Sequence, residues 1–258
     1  MNEATGRSIE LEVEVAGTPE EVWEAVATGP GISSWYVPTT VEERLGGATT
    51  SKFGPGDEMQ VAGRITAWEP PRRVVFEGDG VEGGLAFEWL VEARSGGTCV
   101  VRLVNSGFGR GGEWDDQYDG MVEGWKLFLH NLQLHRANFA GRVATSSLPL
   151  AVWEGPADAA WKRLTGDLGV APSPEPGDRF EVSAGDAPPL AGTVERVAAT
   201  MVTLLLDRPA PGTGFLAVEG AGEQVSVSVW AYLYGDDRDE IAARDEPRWL
   251  EWLAARSA

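Results

Sequence analysis

Few residues of this 258-residue chain have the types and spacing that catalysis or metal binding requires. The two histidines, His130 and His135, are five positions apart, so on a helix they face different directions and cannot share a metal ion. We predict surface or rim positions for both. The sequence has no G-x-S-x-G motif, no H-E-x-x-H motif and one cysteine, Cys99, which we expect to be a small buried residue. It therefore favours a binding protein over an enzyme, with no cofactor and no metal.

A glycine-rich stretch before a predicted helix has the spacing of a dinucleotide-binding loop. Residues 107–112 match G-x-G-x-x-G, a motif that presents backbone N–H groups and a positive helix end to a pyrophosphate. Negative charge at this helix start opposes that use, and the residues lack the ligand spacing of a calcium loop. The acidic residues are Glu113, Asp115, Asp116 and Asp119. We interpret the stretch as a loop that leads into the helix.

The chain is strongly acidic along its whole length. Its formal net charge is -19, and the excess is shared almost equally between residues 1–143, with 12 Lys/Arg against 22 Asp/Glu, and the remainder, with 9 against 18. Such a surface repels nucleic acid and anionic membranes, so we expect neither as a partner. No stretch approaches the roughly 20 apolar residues that span a bilayer, and the N-terminus lacks a signal-peptide pattern. We expect a cytoplasmic protein.

A long amphipathic helix from about Trp114 to Phe139 is the element that would organise the first half of the chain. Its apolar residues recur at steps of three and four and include Tyr118, Met121, Val122, Trp125, Phe128, Leu129 and Leu132. A helix with so much aromatic area needs a large apolar surface to lie on, and a curved antiparallel sheet supplies one.

The residues before this helix read as strands. Residues 9–15 alternate apolar and acidic side chains, which is typical of a strand with one buried face. Thr18, Pro19 and Glu21 predict the start of a short helix that ends near Ala27, after which residues 32–36 form another helical turn. A meander of antiparallel strands then follows, separated by short turns, at residues 57–68, 73–77, 85–93 and 98–106.

Several separated motifs occur in the same order as in the SRPBCC (START/Bet v-like helix-grip) superfamily, which the first half of the chain resembles. Within it they look most like the branch related to the activator of the heat-shock-protein-90 ATPase. The motifs are Thr18-Pro19-Glu20-Glu21-Val22-Trp23, Trp35-Tyr36-Val37-Pro38, Gly46-Gly47, residues 63–76 and Gly124-Trp125. The resemblance implies an α+β helix-grip fold, in which a curved antiparallel sheet wraps around a long C-terminal helix over a cavity that often binds apolar ligands. It implies little about activity, since the family includes lipid binders, polyketide cyclases and co-chaperones.

After Arg142 the pattern begins again in reduced form, so we predict domains at residues 1–142 and 143–258. Residues 148–161 echo the opening strand and helix, and residues 177–182 echo residues 56–61. A short proline-rich segment at 171–176 replaces the stretch that carried the second helix and an edge strand. Pro247 should break the last helix and start a new one, which leaves a shorter counterpart of the long helix. We therefore expect any ligand cavity in the first domain.

The aromatic residues, which include 11 Trp and 8 Phe, either fill two thin cores or line a pocket. If they line a pocket, we predict a ligand site in which polar groups such as Arg64, Arg102 or Asn105 orient the ligand. The predicted ligand-binding residues are Trp35, Tyr36, Arg64, Phe76, Phe87, Trp89, Phe108, Tyr118, Val122 and Trp125.

Three functions stay open from the sequence. The first is a protein that binds a small hydrophobic or amphipathic ligand under the long helix. The second, implied by the resemblance alone, is a co-chaperone-like protein that binds a chaperone or another protein. The third is a cyclase-like or dehydratase-like enzyme in which Arg64 or Glu88 acts within the cavity.

Overall fold

The computed structural model describes residues 7–54, 59–79, 85–108, 112–220 and 222–257, with the backbone alone at residues 112–117 and 119. The chain divides into two compact units, Met1–Val143 and Ala144–Ala258. The predicted boundary falls one residue earlier. The glycine-rich stretch at 107–112 lies largely outside the described residues, as do the side chains of the four acidic residues that follow it.

The described residues of the first unit form an α+β fold with seven strands and three helices. In chain order its elements are β1 (Arg7–Ala16), α1 (Pro19–Ala27), α2 (Gly29–Ser33), β2 (Thr39–Val41), β3 (Ala48–Lys52), β4 (Gln60–Glu69), β5 (Arg73–Gly78), β6 (Ala86–Arg94), β7 (Thr98–Phe108) and α3 (Gly112–Asn138). The strands form one antiparallel sheet in the order β1-β7-β6-β5-β4-β3-β2. The first and last long strands are therefore neighbours at one side, and the short strands β3 and β2 end the other.

The long helix α3 runs along β1 and covers the apolar face of the sheet. Its side chains hydrogen-bond backbone carbonyls of that strand at three levels, where Tyr118 Oη donates to Ser8, Gln133 to Glu14 and Arg136 to Ala16. Trp125, Leu129 and Leu132 of the helix pack with inward-facing residues of β6 and β7 in one core. The predicted helix-grip fold is confirmed.

The two short helices α1 and α2 precede β2, and α2 leads into the aromatic residues Trp35 and Tyr36. Thr18 and Glu21 form the predicted capping box at the start of α1. The second helix begins at Gly29 and not at Ile32, as the sequence had suggested. Pro30 is compatible with this start because the N–H group that proline lacks has no partner in the first turn, and Thr28 Oγ1 caps the helix by accepting from the Gly31 N–H.

The second unit is a reduced copy of the same fold. Its elements are β8 (Thr145–Ser147), β9 (Leu150–Glu154), α4 (Ala157–Leu168), β10 (Arg179–Glu181), β11 (Ala191–Ala198), β12 (Met201–Arg208), β13 (Gly212–Glu219), β14 (Gln224–Leu233) and α5 (Arg238–Ala254). Strands β8 and β9 both pair with β14, as β1 pairs with β7 in the first unit. Residues 169–178, after α4, contain neither helix nor strand, so α2 and one edge strand have no counterpart there.

The last helix corrects one prediction, because α5 continues through Pro247 from Arg238 to Ala254. A proline removes one backbone hydrogen bond, and buried side chains before and after it hold the helix in place. These are Ala242, Asp245, Trp249, Trp252 and Leu253. At 17 residues α5 is still shorter than α3, which has 27. None of the described helices is long and apolar enough to cross a membrane.

Candidate ligand cavity

A cavity of about 610 Å³ lies in the first unit between the sheet and α3. Its walls come from the segment around α2, from strands β2 to β6 and from α3. The lining residues are Ile32, Trp35, Tyr36, Thr39, Thr49, Ser51, Phe53, Gln60, Val61, Ala62, Gly63, Phe76, Glu77, Gly78, Asp79, Leu85, Phe87, Trp89, Met121 and Trp125. The volume falls within the range of about 300–1,000 Å³ that small-molecule sites occupy.

One wall of the cavity is a network of aromatic rings around Trp125, which we call the aromatic wall. The Tyr36 ring stacks on Trp125 with centroids 5.0 Å apart, and Trp89 and Phe87 contact Trp125 at 5.5 Å and 5.6 Å. Trp35 packs edge-on against Trp89 at 5.5 Å. Such edge-to-face and offset contacts stabilise the wall beyond simple area burial, so the rings form a fixed surface.

The indole N–H groups of two of these tryptophans are satisfied within the protein. Trp35 Nε1 donates to the Ala25 carbonyl at 2.8 Å, and Trp125 Nε1 donates to Asn105 Oδ1 at 3.3 Å. Asn105 is fully buried on β7 and donates in turn to the Ala86 carbonyl. Because these polar atoms already have partners, the two rings present apolar faces to the cavity.

Strand register explains why the aromatic side chains converge. Phe76 lies opposite Ile65 on one side and Phe87 on the other, and Phe87 lies opposite Asn105. Directly opposed residues of antiparallel strands point to the same face, so this row faces α3. Trp35 lies outside the sheet, and Asn131 of α3 fixes it by donating to its carbonyl at 2.8 Å.

Two glycines leave a gap in the sheet wall, which we call the glycine notch. Gly63 of β4 and Gly78 of β5 are register partners on the inner face. A Cβ atom on Gly63 would lie 2.5 Å from the Glu77 carbonyl oxygen, whereas on Gly78 it would meet only atoms at 3.6 Å or more. The strands therefore need glycine at 63, and glycine at 78 leaves cavity space that a side chain would fill.

The wall formed by β2 and β3 carries the hydroxyl groups of Thr39, Thr49 and Ser51, and we call it the hydroxyl wall. Thr39 Oγ1 donates to the Val37 carbonyl at 2.9 Å and lies 3.0 Å from Ser51 Oγ. Thr49 Oγ1 lies beside the glycine notch, 3.1 Å from the position of a Cβ atom on Gly63. Burial raises the pKa of the Tyr36 phenol well above its usual range, so Tyr36 stays neutral at physiological pH.

Six of the ten predicted ligand-binding residues line this cavity, namely Trp35, Tyr36, Phe76, Phe87, Trp89 and Trp125. Arg64 does not, because it is opposite Glu77 on the outer face of the sheet. Phe108 and Tyr118 pair with each other at 5.2 Å away from the lining, and Val122 is not part of it.

Two of the other polar residues suggested for the cavity, Arg102 and Glu88, also lie elsewhere. Arg102 is 3.6 Å from Glu12 in an exposed ion pair, and Glu88 accepts from Arg73 Nε at 2.5 Å on the outer face. Asn105 does face inward, where it holds Trp125. These positions follow from strand alternation, since each charged residue stands next to an inward-facing apolar one.

The hydroxyl wall and the glycine notch could not be predicted from the sequence. Thr39, Thr49 and Ser51 stand in a stretch for which no strand was predicted. The register that brings Gly63 opposite Gly78 is a long-range property. The alternation of Thr39, Val41, Thr49 and Ser51 on one face is visible only once β2 and β3 are paired.

Neither histidine lines the cavity, and no group of three or more His, Cys, Asp or Glu among the described residues could hold a metal ion. The predicted surface position is wrong for His135, which is buried. Burial, together with neighbouring Arg136, lowers its pKa to about 4, so the ring is neutral at physiological pH. Buried Cys99 donates its thiol to the Gly17 carbonyl at 3.3 Å, as expected for a structural cysteine.

Comparison with known proteins finds a family model that matches part of the first unit. Residues 16–135 match the family model described as activator of Hsp90 ATPase homolog 1-like protein. A search of curated proteins found no matching relative.

Three solved structures with some similarity to this chain are the following. The Aha1 dimer from Colwellia psychrerythraea is 18% identical over 52% of this chain and 99% of its own, with a TM-score of 0.45. DynU16, a protein of the dynemicin biosynthetic locus, is 17% identical over 97% of this chain and 96% of its own, with a TM-score of 0.44. The di-domain ARO/CYC BexL of the BE-7585A biosynthetic pathway is 15% identical over 97% and 93%, with a TM-score of 0.45.

Proposed function

We propose a function for this chain from its cavity, because the name of the family that residues 16–135 match, activator of Hsp90 ATPase homolog 1-like protein, does not by itself define an activity. The first unit binds a small hydrophobic or amphipathic molecule between the sheet and α3. The observation that supports this most is the aromatic wall facing the glycine notch across a volume of about 610 Å³. A chain that only needed a filled core would have side chains in that space.

The tryptophan rings of the lining favour the apolar body of a ligand over water. Water needs two to four polar partners in a buried site, and the indole N–H groups of Trp35 and Trp125 are already engaged by the protein. A ligand that buries about 250 Å² of apolar surface would gain about 6 kcal/mol before the costs of association. Binding in the micromolar range or tighter therefore needs hydrogen bonds in addition.

The glycine notch allows this proposal to be tested without disturbing the fold. Gly78→Leu should place a side chain in the cavity, because a Cβ atom there meets only ordinary contacts. The matched control is Thr50→Leu, which adds apolar volume on the opposite face of β3, next to lining residue Thr49. Both variants should unfold at temperatures close to that of the unmodified protein.

Energy transfer from tryptophan to 1-methylpyrene reports binding near the aromatic wall. The unmodified protein and Thr50→Leu should show saturable transfer, and Gly78→Leu should weaken the affinity at least about tenfold, the factor that 1.4 kcal/mol represents. Equal affinity in all three proteins would contradict binding in this cavity.

A second candidate function is contact with a chaperone of the Hsp90 class, which the family match favours. It predicts a complex with the chaperone and a change in its ATP turnover at micromolar protein. Absence of both would remove it. An enzymatic role of the cyclase or dehydratase kind has less support, because Arg64 and Glu88 lie on the outer face of the sheet.

A further inference from the structure

The side chains that face the cavity carry no charge in the described part of the chain. Its lining includes no Lys, Arg or His. Two acidic residues contribute to it, but Glu77 is opposite Arg64 on the outer face, and Asp79 is exposed beyond the end of β5. A ligand with a buried charge would therefore lose its hydration without gaining a counter-ion, which is strongly unfavourable.

The hydroxyl wall has a defined set of donors and acceptors. A threonine hydroxyl has one proton, and that of Thr39 goes to the Val37 carbonyl. Ser51 must then be the donor in its 3.0 Å contact with Thr39 Oγ1. As a result Ser51 Oγ offers only lone pairs to the cavity, so it can accept a hydrogen bond from a ligand and cannot donate one.

The cavity lining has two further hydroxyl groups, those of Thr49 and Tyr36. Within the described residues, Thr49 Oγ1 and the Tyr36 phenol have no hydrogen-bond partner, although Thr49 is buried and Tyr36 half-buried. Each can both donate and accept. A ligand hydroxyl can donate to Ser51 and exchange hydrogen bonds with Thr49 or Tyr36, whereas a carboxylate, which only accepts, cannot use Ser51. An ammonium could donate to all three groups, so what disfavours it is the lack of a counter-ion.

We propose that the cavity selects uncharged molecules that carry a hydroxyl group on a flat apolar body. The hydroxyl group of the ligand donates to Ser51 Oγ and exchanges a hydrogen bond with Thr49. The apolar body of the ligand lies between the glycine notch and the aromatic wall. This inference rests on the proposed binding function and adds the charge and the polar group of the ligand. Carboxylate lipids and amphipathic amines are excluded by it.

Four pyrene probes that differ in one substituent separate these possibilities at pH 7.5. They are 1-pyrenemethanol, 1-pyrenecarboxylate, 1-pyrenemethylammonium and 1-methylpyrene, each titrated into the full-length protein by energy transfer from tryptophan. We expect the alcohol to bind tightest and both ions to bind at least about tenfold weaker than the alcohol. Equal or tighter binding of either ion would overturn the inference while leaving a binding cavity. Failure of all four probes to bind would contradict the proposed function itself.

Substitutions of Thr49, Thr50 and Ser51 test the hydroxyl wall. Ser51→Ala and Thr49→Val should lower the affinity for 1-pyrenemethanol about three- to tenfold, as expected for loss of one neutral hydrogen bond, and should leave that for 1-methylpyrene unchanged. Thr50→Val, on the opposite face of β3, should change neither. If Ser51→Ala and Thr49→Val both bind the alcohol as the unmodified protein does, the assigned hydroxyl contacts are wrong.

Discussion

Gly63 and Gly78 are register partners on neighbouring strands, both face the cavity, and a side chain is compatible with only one of them. A Cβ atom on Gly63 would lie 2.5 Å from a backbone oxygen, whereas the nearest atom to a Cβ on Gly78 is 3.6 Å away. The close approach of β4 and β5 therefore explains the glycine at 63. It does not explain the glycine at 78, whose absent side chain leaves space in the cavity.

This asymmetry predicts opposite effects of the same substitution on stability. Gly63→Ala should lower the free energy of unfolding by about 1–3 kcal/mol, because the backbone must shift to admit the methyl group. Gly78→Ala should leave it unchanged or raise it by up to about 1 kcal/mol, because alanine restricts the unfolded chain more than glycine does. Urea denaturation of both variants measures the difference. Equal destabilisation would show that the notch is closed by backbone contacts on both strands.

Asn105 links the aromatic wall to the sheet, and its replacement should loosen both. Asn105→Ala leaves the buried Trp125 N–H and the Ala86 carbonyl without their partner, which should cost about 1–3 kcal/mol of stability. Near-ultraviolet circular dichroism should report the altered Trp125 environment. Asn138→Ala is the control, because that exposed side chain bonds only a carbonyl of its own helix. A Trp125 signal that is unaffected by Asn105→Ala would contradict its role in fixing the ring.

Buried His135 should make the protein less stable as the pH falls below neutrality. Its pKa is about 4 in the folded state, lowered mainly by burial, against an unfolded value of 6.5. The unfolded state binds the proton first, so the stability contributed by neutral His135 is fully present above pH 6.5 and is lost as the pH falls toward 4. The loss should reach about 2 kcal/mol at pH 5 relative to pH 8.

Chemical denaturation between pH 8 and pH 5 checks this dependence. In His135→Gln the histidine contribution is absent, so the variant should lose about 2 kcal/mol less than the unmodified protein over that range, whatever its stability at pH 8. Parallel pH profiles of the two proteins would mean that His135 titrates normally in the folded state.

Cys99 should be unreactive until the first unit unfolds. Its side chain is fully buried, and burial, more than any nearby charge, raises the pKa of the thiol, which lowers the fraction of reactive thiolate. Labelling with 5,5′-dithiobis(2-nitrobenzoate) should be slow in buffer and complete in denaturant. A Val152→Cys variant, whose added thiol lies at a half-exposed position, should show one fast and one slow thiol. Rapid labelling of Cys99 in native protein would contradict its buried position.

The sequence allowed the frame of the fold to be predicted, because its signals are local. Alternation marked β1, the capping residues Thr18 and Glu21 marked α1, and the apolar stripe marked α3. The prediction that Pro247 breaks the last helix was wrong, because the packing of Trp249 and Trp252 in α5 outweighs the local helix propensity of proline.

The site could be predicted only in part, for a related reason. Large aromatic residues on an inward face are visible in a pattern, and six of them do line the cavity. Arg64 was misplaced because its face depends on a register with Glu77 that only the paired strands reveal. The notch depends on side chains that are absent, and the hydroxyl wall depends on the pairing of two short strands.

Photolabelling with 3-trifluoromethyl-3-phenyldiazirine tests most directly whether the cavity binds a small apolar molecule. This neutral aromatic probe forms a covalent bond with whatever surrounds it on irradiation, and peptide mass spectrometry locates the label. We predict labels at lining residues such as Tyr36, Phe53 and Met121, their loss in Gly78→Leu and their retention in Thr50→Leu. Labels confined to the outer face of the sheet, or labels at the lining residues that persist in Gly78→Leu, would contradict binding in the cavity.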